Sequence, residues 1–199
     1  ANILPIDLSL ETLGLSAGYS MGQLEVEAFF GQTSTSPDLA LIGGGDVDNI
    51  GLTAQYAVAP NFDIAAALLR ATINVPGSTD VDIDTVGLAA VYDINAQFSV
   101  FGGYNAMSVD MADLDLTTMG LGVGYNLPEM GGVSSTLSLE LARTEVSLFG
   151  GPSENLDTIR LGLTIPLGGK GTETPLNSVA DSVFNPRRGA LNAGLTGAF

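Results

Sequence analysis

Over residues 5–167 the chain repeats one pattern: short stretches in which apolar residues alternate with small or polar ones, each broken off by a turn or a polar loop. The clearest copy is Leu156 to Leu167, LDTIRLGLTIPL, in which Ile159, Leu161, Leu163, Ile165 and Leu167 share one face and Thr158, Arg160, Gly162 and Thr164 the other, because successive side chains of a strand point to opposite sides. A membrane helix needs roughly 20 consecutive apolar residues, and here Gly, Ser, Thr, Asp or Asn interrupts every candidate run. Yet only 14% of residues are charged and the mean hydropathy is +0.33, whereas a soluble domain is about 25% charged. Much of the surface is therefore expected to meet something other than water. A closed sheet reconciles these facts, since it pairs its backbone groups without a long helix.

Nine segments carry the alternation: Pro5–Tyr19, Leu24–Gly31, Asn49–Val58, Phe62–Asn74, Val81–Tyr92, Phe98–Ser108, Leu116–Tyr125, Val133–Leu148 and Leu156–Leu167. In the first, the apolar phase changes near Glu11 and Thr12, which predicts a β-bulge, with two short strands as the other reading. Phe62–Asn74 is apolar on both faces, so its orientation stays open and a helix is not excluded by pattern alone. Gly120, Gly122 and Gly124 share a face and predict a smooth wall. Tight turns follow the odd segments, and longer acidic loops follow the even ones. That rhythm predicts an all-β, up-and-down antiparallel transmembrane β-barrel of eight to ten strands, with the acidic loops outside. An odd count leaves the N-terminus outside: either Pro5–Tyr19 hides two strands, the tail adds one, or the first segment is not a full wall strand. Residues 1–167 are read as the barrel and 168–199 as a C-terminal extension: a tail, a plug whose Arg187 and Arg188 meet luminal glutamates, or an added strand from Ala190 to Phe199. Ala1, not Met, opens the chain, as expected of a mature form without its export signal or of a trimmed chain.

Charge and residue type then limit the chemistry. The net charge is −16, with only six Lys and Arg, so nucleic acid is excluded as a partner and cations are favoured. With no His and no Cys there is no catalytic triad or thiol chemistry, and no enzyme is expected. Gly43–Gly45 lacks a following Lys and is a loop rather than a phosphate cradle. Glu25, Glu27, Glu140 and Arg160 fall on the non-apolar face of their segments. In a narrow interior they are expected to form a charged network, since buried charges need partners; in a wider one they tune ion selectivity. Asp46 and Asp48, then Asp80, Asp82 and Asp84, then Asp110, Asp113 and Asp115 collect on one rim. They form either a solvated edge or oxygen ligands for Ca²⁺ or Mg²⁺ that bridge to lipid headgroups, although no EF-hand spacing is present.

Arg160, Gly162, Ile165 and Leu167 fit the pattern polar, any, Gly, any, any, apolar, any, apolar. The segment thus resembles the last strand of Gram-negative outer-membrane β-barrel proteins, the class of small porin-like and eight-to-ten-stranded barrels. It departs from them in ending on Leu where an aromatic is commoner and in being followed by residues 168–199, where Asn192, Gly194 and Phe199 give a weaker second match. The resemblance implies the outer membrane as location, with its lipids and the barrel assembly machinery as partners. It also implies a narrow passive pore or a structural membrane protein without a cofactor, Ca²⁺ at the acidic loops excepted. The alternatives are a soluble secreted or periplasmic barrel holding a hydrophobic ligand, and a subunit of a homo-oligomer or larger surface assembly.

Overall fold

The computed structural model describes residues 9–36, 46–74, 77, 79–130, 133–165 and 174–186. Nine strands follow one another: β1 (Ser9–Met21), β2 (Leu24–Ser36), β3 (Val47–Ala59), β4 (Phe62–Ile73), β5 (Val81–Asp93), β6 (Phe98–Val109), β7 (Leu114–Met130), β8 (Val133–Leu148) and β9 (Glu154–Thr164). Each pairs antiparallel with its sequence neighbours in one sheet, with β1 and β9 at its edges among the described residues. This is the up-and-down wall expected from the alternation, and the nine strands among the described residues fall within the expected eight to ten. The helix reading of Phe62–Asn74 is excluded by the ladders that β4 makes with β3 and β5.

Details depart from the sequence reading. The β1–β2 ladder runs from Ser9↔Ser36 to Met21↔Leu24 without a shift, so no bulge absorbs the phase change at Glu11 and Thr12. Register shifts fall instead beside two turns, between Ala57 and Ala59 and between Leu127 and Met130. The seventh segment is longer than the pattern indicates, because β7 continues through Asn126 to Met130. Ile165 lies just beyond the end of β9, and Leu167 is outside the described residues.

The register decides what each face carries. On one side lie Ile50 and Leu52 of β3, Leu68 of β4, Val86 and Leu88 of β5, Leu121 of β7, Leu139 and Leu141 of β8, and Ile159 and Leu161 of β9, all exposed. Leu161 is 76% and Leu13 on β1 77% accessible, far more than a soluble protein tolerates over a continuous surface. Along β3 this band runs from Ile50 to Val58, about 27 Å at ~3.4 Å per residue. At a strand tilt of about 40° that is about 20 Å across the membrane, close to the ~25 Å apolar belt of such barrels. The opposite face is largely buried from β3 to β8. Toward the long loops it holds Leu69, Ala71, Ile83, Met107 and Leu116, with Phe29 packed against them. Toward the tight turns it holds Ala65, Ala67, Ala89, Val91 and Phe101 together with Ala180, Val183 and Phe184 of a short helix, α1 (Val179–Phe184).

Candidate luminal site

A helix of six residues cannot hold itself together in water, so α1 depends on local caps and on its seat. Ser178 caps it, its hydroxyl accepting from the Asp181 amide at 2.9 Å, and Asn177 enters the turn with φ of 65°. The Asp181 carboxylate in turn accepts from Thr174 Oγ1 and Asn185 Nδ2. Every residue of the helix except Asp181 is buried.

The seat exists because β5, β6 and β7 present glycine where the helix crosses. A Cβ at Gly87 would lie 2.6 Å from Val183, one at Gly103 2.7 Å from the Ala180 amide, and one at Gly120 2.6 Å from Val179. Gly103 and Gly120 face each other across the β6–β7 ladder, which makes a single hollow from two strands. The expected smooth wall at Gly120, Gly122 and Gly124 is therefore corrected. Val179 fills the first position, the Phe101 ring lies where a Gly122 side chain would start, and Ser99 Oγ lies beside Gly124.

Polar groups anchor both ends of the helix. Glu140 on β8 accepts from the Val179 amide through Oε1 at 2.9 Å and from Arg160 Nη1 on β9 through Oε2 at 2.7 Å. The Glu140 side chain is 3% exposed and that of Arg160 14%, so this is a charge-assisted pair largely removed from water. At the far end Gln55 Nε2 on β3 donates to the Phe184 carbonyl at 2.8 Å, and in the middle Asn105 Nδ2 donates to Ser182 Oγ at 3.2 Å. Between α1 and the apolar cluster lies a buried polar row: Asn105, Thr118 and Thr144 are cross-strand neighbours on β6, β7 and β8. The two threonine hydroxyls are 3.0 Å apart.

Of the four charged residues read from the sequence as luminal, the structure brings Glu140 and Arg160 together. Glu25 and Glu27 sit on β2, where with Phe29, Thr53, Gln55, Phe184 and Pro186 they line a separate cavity of about 40 Å³ at the C-terminal end of α1. Arg187 and Arg188, and the segment from Ala190 to Phe199, lie outside the described residues.

The aspartates stay at the loop end of the sheet but are engaged singly. Asp48 accepts from Asn74, Asp82 from Thr72, and Asp84 forms a two-bond pair with Arg70 at 2.6 Å. Asp110 opens a single 3-10 turn, and Asp113 ends it with φ of 43°. Asp46, Asp80 and Asp115 are exposed. No three acidic groups gather closely enough to hold a metal ion among the described residues.

One feature of the outer face has no counterpart in the sequence reading. Tyr19, Tyr56, Phe62, Tyr92, Phe98 and Tyr125 all fall close to the tight turns. Phe62 meets Tyr92 edge-on at 6.1 Å, Phe98 meets Tyr125 at 4.8 Å, and the Tyr56 hydroxyl donates to Gln23. Aromatic rings collected at one level are the girdle by which barrels mark the membrane–water boundary. The signal lay in the spacing of aromatics from each turn, not in the alternation.

The backbone is similar to that of OmpT, an outer membrane protein of Vibrio cholerae, with 19% identity and a TM-score of 0.54 over 77% of this chain and 54% of that one. It is similar to an anion-selective porin from Comamonas acidovorans, with 17% identity and a TM-score of 0.59 over 77% and 47%. The outer membrane channel DcaP of Acinetobacter baumannii matches with 14% identity and a TM-score of 0.56 over 79% and 53%. The chain thus spans about half the length of these structures. No curated protein matches the sequence. The family model of Gram-negative porins covers residues 7–148, well over half of the 199-residue chain, and with an exposed apolar band on the outside of an antiparallel wall this chain belongs to the Gram-negative porin family, as a β-barrel protein of the outer membrane.

Proposed function

We propose that the chain forms a narrow passive pore, closed in the state described here and favouring cations over anions when it conducts. The observation that carries this reading is the division of the sheet into an apolar outer face and an inner face with charged and hydroxyl-bearing side chains. Ser138, Glu140 and Thr144 are buried on β8, and Glu25 and Glu27 stand on the inner side of β2. A carrier of hydrophobic ligands lines its interior predominantly with apolar groups and only a few polar ones. The net charge of −16 raises the local concentration of cations at both mouths, and Glu25 and Glu27 supply the same sign inside. With neither His nor Cys in the sequence, the reading is non-catalytic. The partners that follow are outer-membrane lipids along the apolar band, and the barrel assembly machinery at Arg160, Gly162, Ile165 and Leu167. OmpT of Vibrio cholerae is described in a trimer form, which supports self-association as a further property.

The second reading, a structural membrane protein without conductance, is favoured by the apolar cluster around Leu69, Ile83, Met107 and Leu116 that fills the interior toward the loops. Planar-bilayer recording across a KCl gradient separates the two. The pore reading expects brief, small openings whose reversal potential has the sign of cation preference, reduced in Glu25→Gln/Glu27→Gln. Complete silence from correctly folded and inserted protein leaves the structural reading, and anion preference removes the two glutamates from the account.

A further inference from the structure

We infer that α1 is a releasable plug, which when seated keeps the polar row of Asn105, Thr118 and Thr144 dry and when released opens a water path to it from the turn end of the barrel. The inference rests on the pore reading for its purpose but not for its test.

Three features distinguish a plug from an ordinary piece of core. The seat is carved by absence, with Gly87, Gly103 and Gly120 each leaving room that any side chain would fill. A wall built only for stability would put apolar side chains there, because each buried methylene adds about 0.8 kcal/mol. The helix packs Ala180, Val183 and Phe184 among Ala65, Ala67, Ala89, Val91 and Phe101, and its polar contacts to the wall are three: the Glu140 carboxylate on the Val179 amide, Asn105 on Ser182, and Gln55 on the Phe184 carbonyl. Those three bonds exchange for bonds to water at small net cost when the helix departs. Finally, the surface under the helix suits water. Thr85, Asn105, Thr118, Ser138, Glu140 and Thr144 are all buried in the seated state, and each carries a side-chain oxygen that bonds to water once the helix leaves.

Glu140 has the central place, because one carboxylate binds both the helix amide and the Arg160 guanidinium. When α1 leaves, Glu140 keeps Arg160 as its partner, so no isolated charge remains in the barrel. Release is therefore compatible with an intact wall, and Glu140 is a positioning residue for the plug.

The test uses the full chain, which has no cysteine of its own, so only introduced thiols react. Thr144→Cys reports water reaching the polar row through its rate of reaction with a membrane-impermeant maleimide, in protein folded into phosphatidylcholine vesicles. Asn105→Cys with Ser182→Cys, oxidised to a disulfide, ties the helix to β6 in the same background, and Gly103→Val expels it by occupying its seat. Labelling of Thr144→Cys should be at least about tenfold slower when the helix is tied and at least about tenfold faster with Gly103→Val, since labelling follows the open fraction. Rates that agree within about twofold among the Thr144→Cys protein, its tied form and its Gly103→Val form overturn the plug. Should Gly103→Val fail to fold, the tied and untied proteins still decide, because a tie that leaves labelling unchanged overturns the inference. Conductance decides the pore reading and labelling decides the plug, so the failure of either is recognised separately.

Discussion

Replacing Glu140 with Ala tests whether the interior is as dry as the structure shows. The substitution removes two bonds at once, the 2.7 Å contact to Arg160 and the 2.9 Å contact to the Val179 amide. Stranding one member of a buried ion pair costs about 3–5 kcal/mol. Arg160 keeps 14% of its side chain accessible, which places this site toward the lower value, about 3 kcal/mol. The Val179 amide left without its acceptor adds about 1–3 kcal/mol, so Glu140→Ala should destabilise by about 4–6 kcal/mol, a large share of the ~5–15 kcal/mol of a typical fold. Glu140→Gln keeps the shape and an acceptor for the amide and should lose about half as much. The double variant Glu140→Ala/Arg160→Ala removes both charges and should be more stable than Glu140→Ala alone by about 2 kcal/mol, the coupling of a contacting pair. Urea unfolding in detergent micelles followed by far-UV circular dichroism measures all three, as the chain has no Trp to report by fluorescence. If Glu140→Ala costs no more than the ~1 kcal/mol of a solvated surface pair, or if the double variant is the less stable one, water reaches the pair and the closed interior is wrong.

Leu121→Arg, near the middle of β7 on the exposed apolar face, should destabilise the vesicle-folded protein by about 2–4 kcal/mol, whereas Tyr125→Arg beside the turn should cost about 0–1 kcal/mol; equal costs would deny that the face spans a bilayer. Gln55→Ala removes the donor to the Phe184 carbonyl and should cost about 1 kcal/mol in the same urea titration, with the sheet's circular dichroism signal unchanged. Because Asp48, Asp82 and Asp84 are each engaged by a different side chain, CaCl₂ and NaCl at equal ionic strength should give the same thermal midpoint, and a clear upward shift specific to Ca²⁺ would establish a metal site at the loops.

The wall was legible because its information is local. Ile159, Leu161 and Leu163 alternate with Arg160 and Gly162 in any window that contains them, and the ladders follow once the turns are placed. Phe62–Ile73 was ambiguous because its inner residues Ala65, Ala67, Leu69 and Ala71 pack against other apolar groups, so burial on one side and lipid on the other select the same residue types. The helix was not read, although Ser178 followed by Asp181 is a cap signal; six residues are too few for a 3.6-residue period to show. Its seat could not be read at all. Gly87, Gly103 and Gly120 lie on three strands among many other glycines, and only the register that brings Gly103 opposite Gly120 makes them one hollow. For the same reason Glu140 and Arg160 were recognised as luminal, but the amide that Glu140 also holds was not.

The central claim is that one face of this sheet meets lipid and the other encloses a filled interior, and a spin-label scan along β5 tests it directly. Single cysteines at Thr85, Val86, Leu88, Ala89, Ala90 and Val91 carry a nitroxide in vesicle-folded protein, with collision measured against oxygen, which partitions into lipid, and a nickel chelate, which stays in water. Val86 and Leu88 are exposed on the outer side while Thr85, Ala89 and Val91 are buried, so oxygen access should rise at 86, 88 and 90 and fall at 85, 89 and 91, with nickel excluded throughout. A scan without that two-residue period, or with nickel reaching 86, 88 and 90 more readily than oxygen does, would contradict the account.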